Sequence, residues 1–417
     1  MTRDPRRSDS SRPSRTAILL PCLMASWCAV SLGAQPPAVP KPLLKTRQAV
    51  DWWVVFKFNA GSFPGCGGSA TVSCPFGGTP QSYGKFSQQF VYASSANRAL
   101  QQGGVCAGDT LEDPLGATFA QAYRGNYFYV LWNDQFYGDP IASESAPAGH
   151  SKGMLVWNAD GNGFVLQVST PSWPGSGSSK SPRKTDGNSL GCVEDNDVLV
   201  SQHFFALGLA PDDVVAVLKA LANSSVVTDP SKPELARNGG PAGIQDLVKG
   251  LGTVSKSTMA TWEALSSGVA LISKPSGLHV PPWQMVSAML GGEPLRVASW
   301  WASPEIPTTT SGTEIGCWDQ SLGKPGAVEI AISGSWAGKS IGLEGLDEPA
   351  GNHAKIGVST GARPYVVFGD MNQQGSLSGP NCDSSQNGRG GLFFVVEDAQ
   401  LHGAIGSLIQ GATAPAN

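Results

Sequence analysis

The sequence predicts a mixed α/β (α+β) protein made of two similar halves, each a mixed β-sheet flanked by helices, with the functional site at their interface. Three observations lead there. Glycine supplies 52 and proline 31 of the 417 residues, which favours short strands and turns and argues against a helical bundle. Strand-like and helix-like runs occur on both sides of a polar Pro/Gly-containing stretch at 224–243, the candidate linker. One histidine-led hairpin pattern occurs once on each side of it.

In chain order, Arg3, Arg6, Arg7, Arg12 and Arg15 precede an apolar stretch at 17–34 that ends in Gly33 and Ala34. This predicts a secretory signal peptide over 1–34. Pro21 interrupts the run, and it is short for a membrane span of about 20 residues. Residues 35–48 read as an N-terminal linker and 49–223 as the first half. Within that half, 51–58 (DWWVVFKF) and 127–132 (YFYVLW) are β-branched and aromatic and predict strands. At 210–223, Pro211, Asp212 and Asp213 start a helix that Val214, Val215, Leu218 and Leu221 continue near helical spacing. After the linker, the second half covers 244–417. There, 244–251 and 257–272 read as helices, and 327–332, 365–368 and 392–396 as strands.

Twenty-eight basic against 32 acidic residues give a net charge of −4, and loss of the leader's five arginines and two aspartates would leave −7. No basic tail supplies general attraction to phosphates, so any nucleic-acid chemistry has to come from a site. Of eight cysteines, Cys22 and Cys28 lie in the leader. Cys66, Cys74, Cys106, Cys192, Cys317 and Cys382 remain, an even set that predicts disulfides in an exported chain with the pairing left open.

The repeat carries the chemistry. His150-Ser-Lys152 is followed by a strand (153–157), a turn (158–163), a strand (164–168) and Ser169. His353-Ala-Lys355 is followed by a strand (356–359), a turn (360–364), a strand (365–368) and Gly369-Asp370-Met371-Asn372. Lys152 to Ser169 and Lys355 to Asn372 are both 17 positions. Residues i and i+2 of a strand share a face, so each motif presents an imidazole and an ammonium together. Two copies around one point suit a phosphodiester: one imidazole attacks phosphorus, the other protonates the leaving alkoxide, and Lys152, Lys355, Ser169 and Asn372 stabilise the non-bridging oxygens. No cofactor is required, and no carboxylate cluster has convincing spacing for a metal. His203, His279 and His402 lack a lysine at i+2 and read as structural or surface residues. Lys57 either lines the site or edges its sheet, Arg389 contacts a phosphate or fixes a turn, and Trp52, Trp53, Trp132 and Trp157 read as core.

These segments resemble deoxyribonuclease II, in a bacterial-type secreted form. The resemblance rests on 50–57 (VDWWVVFK), 129–135 (YVLWNDQ), 149–153 (GHSKG), 352–355 (NHAK), 369–372 (GDMN) and 389–391 (RGG), in order, from about 49 to 396. It implies the phospholipase D superfamily fold and an endonuclease that works on DNA without divalent metal, at acid pH, leaving 3′-phosphate and 5′-hydroxyl ends. It also implies His150 and Lys152 as one catalytic half and His353, Lys355 and Asn372 as the other. By the same analogy His150 is the nucleophile and His353 the general acid. The wider superfamily carries an aspartate five residues after each lysine; Trp157 and Thr360 stand there instead, which favours the nuclease branch over lipid-cleaving relatives.

The implied partner is DNA, with no membrane association after signal cleavage and a secreted or periplasmic location. One chain holds both motifs, so a monomer suffices for the chemistry, while a homodimer would add grip on a duplex. Two competing readings are a phospholipase D-like phosphodiesterase acting on lipid or RNA, and a secreted sugar-binding or adhesion protein without catalysis.

Overall fold

The apolar runs fold into two sheets that share the order of five consecutive strands. A computed structural model describes residues 39–67, 85–136, 145–171 and 198–416; the predicted leader, Cys74 and Cys192 lie outside the described residues. Residues 38–417 form one compact unit. A short hairpin, β1 (Leu43–Lys45) and β2 (Gln48–Ala49), precedes the first sheet. That sheet is built from β3 (Trp52–Lys57), β4 (Phe90–Ser94), β5 (Asn97–Gln102), β6 (Phe128–Asn133), β7 (Lys152–Trp157), β8 (Gly163–Val168), β9 (Gln202–Leu209) and β10 (Ala236–Arg237). The second uses β11 (Thr261–Ala264), β12 (Ala270–Lys274), β13 (Leu295–Ala298), β14 (Val328–Ile330), β17 (Ile356–Ser359), β18 (Tyr365–Gly369) and β19 (Gly391–Glu397), with a separate hairpin of β15 (Ser333–Trp336) and β16 (Lys339–Gly342).

The first sheet runs β10-β6-β7-β8-β9-β3-β4-β5 and the second, read in the matching sense, β14-β13-β17-β18-β19-β12-β11. Strand for strand, β6 to β9 followed by β3 correspond to β13, β17, β18, β19 and β12; the next strand, β4 or β11, follows β3 in the chain in one sheet and precedes β12 in the other. Each HxK motif therefore enters the same strand of its sheet. The second sheet is mixed, because β13 and β14 pair in parallel. The named strands of the first sheet all pair antiparallel, which corrects the expectation of a mixed sheet there.

Both sheets are covered on both faces, which is why β3, β7, β8 and β12 are buried along their whole length and read as continuous apolar runs. The inward faces meet in one core, where Phe205 stacks on Phe368 at 4.6 Å and lies 5.5 Å from Phe394. Two further helices, α2 (Pro211–Asn223) and α5 (Ala399–Leu408), add Val214, Val217, Leu218, Leu221, Leu401, Ile405 and Leu408 to it. The outer face of the first sheet is closed by α1 (Pro114–Arg124), and that of the second by α4 (Pro282–Met289). Pro114 and Pro211 open their helices at positions where the missing N–H costs nothing. Asp113 caps α1 by accepting from Gly116 N at 2.9 Å.

The segment 257–272, expected as a helix, is instead the hairpin β11–β12. Gly268 turns it at φ +82°, a backbone region open to glycine at little cost. Strand β12 is then inserted between β11 and β19, where its side chains are buried on both faces. The stretch 224–243 bonds to both halves: Ser224 Oγ donates to Gly391 O (3.1 Å), Thr228 Oγ1 donates to Leu131 O (2.7 Å), and β10 pairs with β6. Helix α3 (Ala242–Lys249) follows, matching the helix expected at 244–251. Each sheet's half carries a disulfide among its described residues, Cys66–Cys106 and Cys317–Cys382.

Candidate active site

The two HxK segments dock across the interface. His150 N donates to Gly390 O (2.7 Å), just ahead of β19, and His353 N donates to Ser201 O (2.8 Å), just ahead of β9. Since β9 and β19 are equivalent strands, these bonds are images of each other, and each half holds the other's histidine. Gly153 is required beside this crossing: a Cβ there would lie 2.5 Å from Leu166 O and 2.6 Å from the Trp132 ring.

The crossing brings the charged groups together. The His353 ring feels Lys355, Lys152, His150 and Asp134, and Lys355 feels Lys152, Asp134 and Asp370. Burial, followed by the neighbouring lysines, holds both imidazoles well below the usual histidine range, so both are neutral near neutral pH. Burial likewise holds the Lys355 ammonium well below its ordinary value. His150 is 7% exposed and His353 partly exposed, leaving a small opening onto the rings. A separate cleft of about 770 Å³ lies between 309–326 and Ser378.

The two imidazoles differ in their surroundings. His150 Nδ1 lies 2.8 Å from Asp370 O. A carbonyl only accepts, so Nδ1 carries the proton and Nε2 presents a lone pair. His353 Nδ1 has no hydrogen-bond partner among the described residues, and its ring meets the Trp300 indole edge-on at 4.2 Å. The lysines differ too. Lys152 pairs with the buried carboxylate of Asp134, whose other oxygen is 2.9 Å from Arg389 Nη2. Lys355 Nζ donates to His353 O (2.6 Å), and Lys355 N donates to His203 Nδ1 (3.0 Å).

Strand register corrects one equivalence. Gly153 pairs with Gln167, and Ile356 with Phe368, so the position matching Ser169 is Asp370. The first hairpin is two residues longer, which makes the shared 17-residue offset reach Asn372 two positions further on. The hydrogen bonds agree: Ser169 Oγ accepts from His203 N (2.9 Å) and Asp370 Oδ2 from Leu392 N (3.0 Å), at equivalent points of β9 and β19. Ser169 Oγ also donates to Gln202 Oε1 (2.6 Å). Asn372, 8% exposed, donates from Nδ2 to Gln374 Oε1 (2.8 Å), and its Oδ1 is buried without a partner among the described residues.

Lys57 is fully buried, and its ammonium donates to Phe58 O (2.9 Å) and Ser87 O (3.1 Å). Lys274 stands at the equivalent end of β12, donates to Asn387 O (2.7 Å) and Arg389 O (2.8 Å), and is pushed down to about 7 by burial. Both lysines thus brace loops with backbone bonds. Arg389, 9% exposed, donates to Ala148 O and Gly149 O at 2.9 Å each, so it holds the backbone ahead of His150.

Of the other histidines, His203 is buried behind Lys355 and lowered to about 3 by burial and then by that lysine. His279 is exposed, and His402 bonds Ser359 O at 2.7 Å. Sequence reasoning missed Asp134, Asp370, Gln167 and Trp300 as parts of the site. Asp134 lies two residues past the expected strand at 127–132 and inside the 129–135 segment that carries the family resemblance, the signals that could have found it. Gln167 Nε2 donates to Asp370 Oδ1 (3.0 Å), and burial pushes the Asp370 carboxyl up to about 7.

The doubled sheet with one shared His/Lys cluster defines a two-half mixed α/β protein whose centre is equipped to receive an anion. The family model for Deoxyribonuclease II matches residues 42–223. Two curated relatives agree. Deoxyribonuclease-2-alpha of Rattus norvegicus is 31% identical over 152 residues, 34% of this chain and 38% of the relative. Cell-death-related nuclease 7 of Caenorhabditis elegans is 28% identical over 133 residues, 30% of this chain and 29% of the relative. The chain thus spans less than two fifths of either relative, and the match of the second HxK motif to the first rests on strand order and register.

Proposed function

We propose that this chain is an endonuclease that hydrolyses DNA phosphodiester bonds through a phosphohistidine, at acid pH and without a divalent metal. The observation that carries the reading is the meeting of both HxK pairs in one buried cluster, with one imidazole fixed by a backbone carbonyl. His150 Nε2 attacks phosphorus in line, and an N–P bond forms as the P–O5′ bond breaks. The electron pair leaves on O5′ and takes a proton from the His353 imidazolium. Neutral His353 then removes a proton from water, which attacks phosphorus, breaks the N–P bond and releases a 3′-phosphate. Lys152, Lys355 and Asn372 stabilise the non-bridging oxygens, and do so strongly because water is largely excluded.

The acid preference follows from sign. Burial and the lysines lower the His353 pKa, so the imidazolium needed by the leaving group forms only as pH falls or as an anionic phosphate arrives. The two disulfides fit an oxidising compartment, and no helix among the described residues is long and apolar enough to cross a membrane. Export by the predicted leader is part of this reading, with a secreted or periplasmic destination.

Plasmid nicking at acid pH in EDTA tests it. The expected result is cleavage that leaves ends a polymerase extends only after phosphatase treatment. Loss of all cleavage in EDTA with recovery in magnesium would overturn the mechanism, and turnover of phosphatidylcholine or RNA in place of DNA would reassign the substrate.

A further inference from the structure

Asp134 lies one residue beyond Asn133, which pairs with Lys152 at the end of β6. In the second sheet, Ala298 pairs with Ile356, so the equivalent position past the end of β13 is Trp300. One half thus sets a carboxylate beside its motif where the other sets an indole. Asp134 is 1% exposed; one oxygen binds the Lys152 ammonium and the other lies 2.9 Å from Arg389. Arg389 comes from the opposite half and grips the carbonyls of Ala148 and Gly149.

We propose that Asp134 is a positioning residue that makes the two halves chemically unequal, fixing the Lys152 ammonium and, through Arg389, the backbone that carries His150. This rests on the nuclease reading above. A buried carboxylate between two cations keeps both in place, and removing it leaves two like charges with no counter-charge between them. Burial raises the Asp134 carboxyl, but Lys152, His150 and Arg389 outweigh it and hold it below the ordinary carboxylate range, so it stays ionised where the histidines protonate. The groups facing the two imidazoles are Lys152, Arg389, Lys355 and Asp134 around His150, and Lys355, Lys152, His150 and Asp134 around His353. Asp370 and His203 stand beside Lys355. Asp134 is the carboxylate that favours protonation of both rings.

The test is the pH profile of plasmid nicking in EDTA for wild type, Asp134→Asn, Asp134→Glu and the double variant Asp134→Asn/Arg389→Gln. Asp134→Asn should lower kcat about 100-fold with a smaller change in KM, as a displacement of about 1 Å at a reacting group does. Its optimum should move to acid by about one pH unit, because loss of the carboxylate lowers the imidazole pKa. Asp134→Glu keeps the charge and should keep the wild-type optimum at a reduced rate. The double variant offsets the lost charge at His150 and not at His353, so its optimum should stay shifted to acid while the rate stays low. A wild-type profile for Asp134→Asn, or a rate loss at an unmoved optimum, overturns the proposal. If Asp134→Asn does not fold, a shifted optimum in Asp134→Glu overturns it and an unshifted one supports it. Absence of EDTA-resistant nicking in the wild type would remove the nuclease reading and this inference with it, an outcome separate from an unmoved optimum.

Discussion

The two halves share a strand order, a backbone bond that docks each histidine on the other half, and a buried lysine at the end of β3 or β12. They differ in what surrounds the imidazole. His150 sits on a carbonyl beside a lysine ion-paired with Asp134, whereas His353 has an Nδ1 without a hydrogen-bond partner among the described residues, an indole neighbour and a lysine that bonds a backbone carbonyl. Symmetry builds the pocket, and under the proposed mechanism local substitutions on that symmetry divide the labour of attack and proton transfer.

The largest expected effect is on turnover. His150→Ala and His353→Ala should each cost at least roughly 10²–10⁴-fold in nicking rate, the worth of a general acid or base alone. A normal rate in either variant would break the pairing of the halves. Phe205→Ala, at the centre of the shared core, should lose about 3–5 kcal/mol in denaturant unfolding. A loss much smaller than this would mean the inward faces contribute little to joining the sheets. Lys152→Met should cost about 3 kcal/mol because it leaves a buried carboxylate with one cation fewer. Lys355 Nζ bonds a carbonyl, so Lys355→Met breaks no ion pair among the described residues and should cost less. Equal losses would erase the asymmetry.

The smallest effect is a pH slope. Folded His203 resists protonation down to about 3, while the unfolded ring takes a proton near 6.5. Stability supplied by this neutral ring is therefore present above about 6.5 and lost as pH falls toward the folded value. Between those limits the wild type should lose about 1.4 kcal/mol per pH unit more than His203→Gln, measured by urea unfolding. Parallel slopes would contradict the burial of a neutral ring there.

The sequence made part of this legible. The strands at 51–58, 127–132 and 392–396 were readable because burial on both faces leaves continuous β-branched and aromatic runs. The HxK pairs were readable because both members lie within one strand entry. The hairpin at 261–274 was not, since an edge strand exposed at three of its four residues carries no clear alternation. Asp134 and Asp370 were hidden for a different reason. Their partners, Lys152 and His150, are 18 and 220 positions away, and only strand pairing and the docking of the halves bring them together. The matched 17-residue spacing pointed to the right hairpins but the wrong equivalent, because a loop length is not a register.

The division of labour can be measured on His353→Ala with thymidine 3′-(p-nitrophenyl phosphate). Nitrophenolate leaves without a proton, so attack no longer needs the general acid, while hydrolysis of the adduct still lacks its base. The account predicts a burst of about one equivalent of nitrophenolate per chain, the stoichiometry of a stalled covalent intermediate, with a nucleotidyl adduct mapped by peptide mass to His150. No burst, or an adduct on any other residue, would contradict it.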